Sequence, residues 1–303
     1  MRIVFLGSPP EAQGALRALH DAGHDIALVV TQPDRKRGRG GDLVPSPVKK
    51  TATELGLRIV TPERCKEALD DIAGSGAELG VVVAFGQFIP PSVLDALPSG
   101  YVNVHFSLLP RWRGAAPVER AILAGDTETG VCLMQLEAGL DTGPVYACRR
   151  IPITPDDTAG DLRCRLADLG TELLLSEIES VPGRVPMPQE GEETYAAKLT
   201  VEEFAVDWSR SAAELARLVM AGNPKPGAWT TARGARLKLL RARADDASGG
   251  DGSAAAEPGA VVGPARVATG DGDLVLGEVQ PEGKAAMPAA AWAAGFRGDR
   301  LGA

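Results

Sequence analysis

The chain has 303 residues, enough for two domains that each bury a core. Its apolar fraction of 44% is ordinary for a globular protein, and no window approaches eighteen uninterrupted apolar residues, which argues against a transmembrane helix. A net charge of −8 excludes a protein that coats nucleic acid by bulk charge.

The charge is uneven. From Asp207 onward there are 12 Lys+Arg against 11 Asp+Glu, whereas the first 206 residues carry 20 against 29. Two domains with different partners are the expectation. The N-terminus runs directly into Arg2-Ile3-Val4-Phe5-Leu6, with no basic segment, long apolar segment and small-residue cleavage site. No secretion signal is read there, and a cytoplasmic location is expected. Cys65, Cys132, Cys148 and Cys164 are widely spaced without a CxxC pair. Reduced, mostly buried thiols are expected.

Arg2 to Leu6 reads as a buried strand that enters the loop Gly7-Ser8-Pro9-Pro10. Glu11 to Ala22 carries a helical pattern closed by Gly23. Ile26 to Thr31 is a second strand, Val48 to Leu55 a helix, Leu79 to Phe85 a third strand and Val102 to His105 the next. Strands alternating with helices imply a parallel, doubly wound, Rossmann-like α/β sheet. Ligands of such sheets sit outside the carboxyl ends of the strands, where His105 falls. The first loop has no GxGxxG, and the chain has no GxxxxGK[ST]. The fold is nucleotide-binding in shape without the phosphate-cradling chemistry.

Gln32 to Asp42 is a basic loop in which Arg35, Lys36, Arg37 and Arg39 fall among glycines. It reads either as a solvated loop or as a flexible finger that pairs with phosphates. Further on, Val118 to Ala124 is a helix, Val131 to Leu136 and Pro144 to Ile153 are strands, and Thr158 to Ile178 is a long amphipathic helix. From about Val181 the composition shifts to Pro and Gly and then to Glu, so residues 183–206 read as a linker between domains 1–182 and 207–303. In the second domain a helix from Ala212 to Met220 precedes four short strands: Ala228 to Ala232, Arg236 to Ala242, Gly259 to Ala268 and Leu274 to Gln280. A small barrel, OB-like, is the expectation, with Asp246 to Ala256 as a disordered loop insertion.

The chemistry concentrates in Asn103-Val104-His105-Phe106-Ser107-Leu108-Leu109-Pro110 and in Gly139-Leu140-Asp141-Thr142-Gly143. A Ser-His-Asp hydrolase would need a nucleophile elbow, and there is no GxSxG. A metal site would need more ligands than His20 and His24 offer beside His105, so no metal is expected. Non-covalent acyl transfer remains. An amide and an imidazole can stabilise an oxyanion, and a carboxylate can take a proton from an attacking amine. Taken singly, each residue also has a plain structural reading as a turn-former, a satisfied histidine or a loop cap.

Asn103-x-His105-x-Ser107-Leu108-Leu109-Pro110 resembles the signature of formyltransferases that use 10-formyltetrahydrofolate. The longer string from His105 to Pro117, with Gly139 to Gly143, Thr31 to Arg35, Pro45 to Lys49, Thr194 to Leu199 and Asp207-Trp208, is similar to the methionyl-tRNA formyltransferase family. The resemblance runs from Met1 to about Gln280. It implies transfer of a formyl group from 10-formyltetrahydrofolate to the methionine α-amino group of initiator methionyl-tRNA. It also implies a Rossmann-like catalytic domain and a C-terminal OB-like domain that contacts tRNA. Asn103, His105 and Asp141 would be catalytic. Ser107, Leu108, Leu109 and Pro110, with Phe85, Gly86 and Ile89, would lie along the folate. Arg35, Lys36, Arg37 and Arg39 would approach the acceptor stem. A monomer is expected, with no membrane partner.

The chain departs from the family pattern where Gly7-Ser8-Pro9-Pro10-Glu11-Ala12 lacks the usual Asp-Phe, and where Phe85 stands for a frequent Tyr. Other readings stay open: a sugar- or glycinamide-directed formyltransferase, a non-catalytic folate- or tRNA-binding protein, and a formyl hydrolase.

Overall fold

The computed structural model describes residues 1–37, 41–245 and 256–302, without the Arg37 side chain. The chain divides into two compact units, and neither is one continuous stretch. The first comprises Met1–Gly114, Thr129–Ile151 and Arg163–Tyr195, and the second Ala115–Glu128, Pro152–Leu162 and Ala196–Ala303.

In chain order the strands and helices begin with β1 (Arg2–Gly7), α1 (Gln13–Asp21), β2 (Asp25–Val30), β3 (Arg35–Arg37), β4 (Asp42–Val44), α2 (Pro47–Glu54) and β5 (Ile59–Val60). Then come α3 (Leu69–Ala73), β6 (Leu79–Val83), α4 (Pro91–Leu94), β7 (Tyr101–His105), β8 (Arg113–Gly114), α5 (Pro117–Ala124), β9 (Glu128–Gln135), β10 (Val145–Pro152) and α6 (Ala159–Glu177). The remainder is β11 (Tyr195–Ala196), α7 (Ala212–Gly222), β12 (Ala228–Ala232), β13 (Ala235–Asp245), β14 (Val261–Gly263), β15 (Arg266–Ala268), β16 (Asp273–Pro281), β17 (Met287–Pro288) and α8 (Ala289–Gly295).

The first unit is built on a seven-stranded sheet of order β10-β9-β7-β6-β1-β2-β5. Strands β7, β6, β1, β2 and β5 are parallel, as the alternation of strand and helix implies. They are continuous apolar runs because both faces are covered, and all five residues of β6 are buried. Strand β9 runs antiparallel to β7, so the sheet is mixed and not wholly parallel. An apolar run reads the same in either direction, which is why the sequence pattern did not reveal this. On one face Val4, Leu6, Leu28, Val30, Ile72, Val82, Phe85 and Tyr101 form a buried cluster. Each such aliphatic or aromatic side chain contributes about 1.5–3 kcal/mol by leaving water. Tyr101 lies where a Cβ at Gly80 would sit, 2.0 Å from its ring.

The basic loop differs from its expected form. Arg35–Arg37 pairs antiparallel with Asp42–Val44 in a hairpin, with Arg35, Lys36 and Leu43 exposed. Charged residues have low strand propensity, so the pattern concealed it. Arg39 lies outside the described residues.

The expectation of four reduced thiols is also corrected. Cys132 on β9 and Cys148 on the neighbouring β10 form a disulfide, with Cα atoms 4.1 Å apart. Sequence spacing of 16 residues did not show that sheet pairing brings them together. Cys65 is free and buried, and burial pushes its thiol up to about 11. Cys164 is free and exposed.

The second unit contains a sheet of order β12-β13-β16-β15-β14, with β17 also paired to β16. The path runs open from β12 to β14, so no closed barrel forms among the described residues. The single strand expected over Gly259 to Ala268 is two, β14 and β15, folded antiparallel. The Gly263-Pro264 turn signal, with Ala265 at φ +56°, separates them. Helix α7 starts in a capping box, in which Ser211 accepts from the Glu214 N–H and Glu214 accepts from the Ser211 N–H. The insertion at Asp246 to Ala256 lies outside the described residues except Ala256. No helix among the described residues is long and apolar enough to cross a membrane.

Candidate active site

Strand alternation sends Asn103 and His105 of β7 to the same face, two residues apart at the carboxyl end of the parallel strands. Asn103 is half-buried, and its side-chain amide makes no hydrogen bond among the described residues. His105 is 6% exposed. Its Nε2 lies 3.0 Å from the carbonyl oxygen of Trp112. A carbonyl only accepts, so Nε2 carries the proton of this bond. The ring therefore presents Nδ1 to Asp141, whose Oδ2 stands 3.7 Å away. That separation is too long for a hydrogen bond. The carboxylate faces this side of the ring without bonding to it.

Asp141 reaches this position through an unusual backbone. It lies in the left-handed region at φ +52°, in the loop between β9 and β10. Its Oδ2 accepts the Gly114 N–H at 2.8 Å. Gly143 closes the loop against β9, where a Cβ would stand 1.9 Å from the Gln135 carbonyl oxygen. The structure thus brings His105 and Asp141 together, with Asn103 on the same strand face as His105.

The loop after β7 is held from within and from a distant segment. Ser107 is fully buried and its hydroxyl donates to the Arg111 carbonyl at 2.6 Å, so it is tied to its own loop. Leu108 and Leu109 are half-buried and Pro110 is buried after a cis Leu109–Pro110 bond. Trp112, at φ +62°, donates its N–H to the Thr194 hydroxyl at 2.9 Å. Arg113 donates its backbone N–H to the Thr194 carbonyl.

The segment after β6 contributes backbone. Phe85 is 2% exposed and its ring belongs to the core, while its carbonyl accepts from the Ser8 hydroxyl and the Gln32 amide, both at 3.1 Å. Gly86 takes φ +76°, and a Cβ there would stand 2.7 Å from the Gln32 Nε2. Ile89 packs against the core cluster, whereas Phe88 is 73% exposed. Arg35 and Lys36 are exposed on the β3–β4 hairpin and are not among the residues gathered around His105. Among the described residues there is no group of three or more His, Cys, Asp or Glu placed to hold a metal ion.

Sequence reasoning missed Arg113, Gln189 and Glu193 as parts of this centre. The Gln189 side-chain amide donates to the carbonyls of Asp141 at 2.8 Å and Gly143 at 2.7 Å. Its oxygen accepts from Arg113 Nε at 3.0 Å and Nη2 at 2.8 Å. Arg113 is buried and also pairs with Glu193. Gln189 and Glu193 fall in the Pro-, Gly- and Glu-rich segment read as a linker, where no periodicity marks a contact.

Residues 1–178 match the family described as formyl transferase, and residues 198–297 match the formyl transferase C-terminal domain. The chain is 47% identical over 300 residues to the methionyl-tRNA formyltransferase of Symbiobacterium thermophilum, covering 95% of this chain and 90% of that one. It is 48% identical over 311 residues to the methionyl-tRNA formyltransferase of Thermus thermophilus, covering 100% of this chain and 99% of that one. Among solved structures, HypX from Aquifex aeolicus in complex with tetrahydrofolic acid has a TM-score of 0.67 at 19% identity, over 98% of this chain and 47% of that one. Methionyl-tRNA formyltransferase from Clostridium thermocellum has a TM-score of 0.61 at 17% identity, over 82% of this chain and 95% of that one. At such identities the two structures establish the shared fold alone.

Proposed function

This chain belongs to the formyltransferase family, among the methionyl-tRNA formyltransferases, and from that premise we propose how its residues carry the reaction. The enzyme transfers the formyl group of 10-formyltetrahydrofolate to the α-amino group of methionine on initiator methionyl-tRNA. The product is N-formylmethionyl-tRNA for translation initiation.

The observation that carries the site assignment is the convergence of the Asp141 carboxylate on His105 Nδ1 at 3.7 Å, beside Asn103 on the same strand face. The methionine amine attacks the formyl carbon as the neutral base. A free α-amino group titrates near pH ~7.7–8, so a useful fraction is neutral at cytoplasmic pH. Attack places negative charge on the formyl oxygen. The Asn103 amide, which is not used internally among the described residues, donates to that oxygen, and His105 beside it helps stabilise the developing charge. Asp141, directly or through water, accepts the proton leaving the amine, and a proton is returned to the folate nitrogen as the C–N bond to the donor breaks. The new amide bond replaces the one broken, so charge and protons balance.

The folate lies along Ser107, Leu108, Leu109, Pro110, Phe85, Gly86 and Ile89 in this reading. Half-buried aliphatic side chains and a glycine-opened backbone suit a flat heteroaromatic ring with polar edges. The Phe85 side chain points into the core, so its contribution is through the main chain. Arg35, Lys36, Arg37 and Arg39 pair with phosphates of the acceptor stem. Residues 1–182 carry the catalytic domain, the segment 183–206 leads on from it after Gln189 and Glu193 have packed back on Arg113, and 207–303 form an OB-like domain that contacts tRNA. A monomeric, cytoplasmic enzyme fits an acceptor that is consumed at translation initiation.

Asp141→Asn tests the assignment. The amide retains the size of the carboxylate and removes its charge. Turnover is expected to fall by about 10²–10⁴-fold, with tRNA binding retained. Turnover near that of the unmodified enzyme would remove Asp141 from the role of base.

A further inference from the structure

We propose that Gln189, held by Arg113, is the positioning residue for the Asp141 carboxylate, so that residues 187–194 belong to the catalytic centre. This rests on the assignment of Asp141 as the base.

The geometry leaves the Gln189 amide one orientation. Both N–H bonds of Nε2 are used, one to the Asp141 carbonyl at 2.8 Å and one to the Gly143 carbonyl at 2.7 Å. Oε1 accepts two bonds from the Arg113 guanidinium, at 3.0 and 2.8 Å. A flipped amide would set its NH₂ against a cation and its oxygen against two carbonyls. The amide is saturated, and each bond faces a partner of the opposite kind.

These bonds form a closed ring. Asp141 is held at its carboxylate by the Gly114 N–H, and at its carbonyl by Gln189. Gln189 is held by Arg113, the residue before Gly114. The main-chain and side-chain ends of one aspartate are thus fixed by two consecutive residues. Arg113 is buried and anchored again by Glu193 and by its backbone bond to Thr194. Met187 bridges Val145 through two backbone hydrogen bonds, of 2.7 and 2.9 Å, which fixes the entry of the segment. Asp141 requires such restraint, because an aspartate at φ +52° is held there only by its surroundings. The displacement at stake is small, and a shift near 1 Å at a reacting group can cost about 10²-fold in rate.

Gln189→Ala and Gln189→Glu are compared with the unmodified enzyme in the formylation of initiator methionyl-tRNA. The alanine variant removes all four bonds. The glutamate variant keeps an acceptor for Arg113 and sets a carboxylate oxygen against the two carbonyls. In both, kcat is expected to fall by about 10- to 100-fold, with KM for folate and for tRNA each within about threefold. The ring C–H resonances of His105, one of only three histidines, should move in the NMR spectrum of both variants while the dispersed core resonances stay in place. Either variant retaining kcat within twofold, or leaving the His105 resonances unmoved, would overturn the proposal. Loss of rate expressed as a raised tRNA KM alone would also overturn it. Failure of the unmodified enzyme to formylate would instead count against the functional reading itself.

Discussion

The Asp141 carboxylate, proposed as the base, is placed by the residues that hold its loop. Gly143 is the plainest case. A Cβ there would stand 1.9 Å from a backbone oxygen of β9, and no side-chain rotation can relieve that contact. Gly143→Ala must therefore displace the loop that carries Asp141. Loss of about 1–3 kcal/mol in denaturant unfolding is expected, with kcat reduced at least tenfold. Near-normal kcat in a folded variant would show that the loop tolerates movement. Asn103, His105 and Asp141 could be singled out in the sequence at a strand end and in a glycine-flanked loop, and the family resemblance is what implied a catalytic role for them. Gln189 and Arg113 could not be singled out. Their side-chain partners lie 46 to 80 residues away, and nothing in a Pro- and Glu-rich stretch encodes which carbonyl an amide will find.

At the scale of elements, the buried strands and capped helices were readable because each carries its own pattern. Helix α2 begins at Ser46, whose hydroxyl accepts the Lys49 N–H, with Pro47 at its first position. The β3–β4 hairpin was not readable, since consecutive like charges followed by glycines match no strand template. Its form sharpens the expected role, because a hairpin presents Arg35 and Lys36 from a fixed register with less ordering cost than a loose finger. The double variant Arg35→Ala/Lys36→Ala should raise the tRNA KM several-fold, flatten its salt dependence and leave the folate KM unchanged. An unchanged tRNA KM and salt slope would make the hairpin an ordinary solvated surface.

Helix α7 supplies a pH test. Hydrogen bonds from Arg210 and from Ser211 hold the Glu214 carboxyl down at about 2, from an ordinary 4.5. A carboxyl lowered on folding stabilises the folded chain above about pH 4.5, and that contribution is lost as pH falls through about 2. The thermal midpoint of the unmodified protein should fall more steeply between these values than that of Glu214→Gln. Parallel curves would mean that the cap is not coupled to global unfolding.

Across the whole molecule, the uneven charge, the change in composition and the two family matches all divide the chain into an acidic sheet unit and a near-neutral β unit. The sequence pattern placed that division in chain order. In the structure, Ala115–Glu128 and Pro152–Leu162 cluster with the later residues, an arrangement that depends on long-range packing and leaves no mark on local composition. The antiparallel β9 is a further tertiary fact of this kind. Its register sets Cys132 opposite His105 and ties β7 toward the edge of the sheet.

Initiator methionyl-tRNA is the acceptor of this enzyme. Purified protein with 10-formyltetrahydrofolate should be given initiator methionyl-tRNA, elongator methionyl-tRNA and sugar amines in parallel, and the formylated product measured. Formylation of the initiator, with little of the elongator and none of the sugars, is the result expected. Formylation of a sugar amine in preference to the initiator would contradict the account.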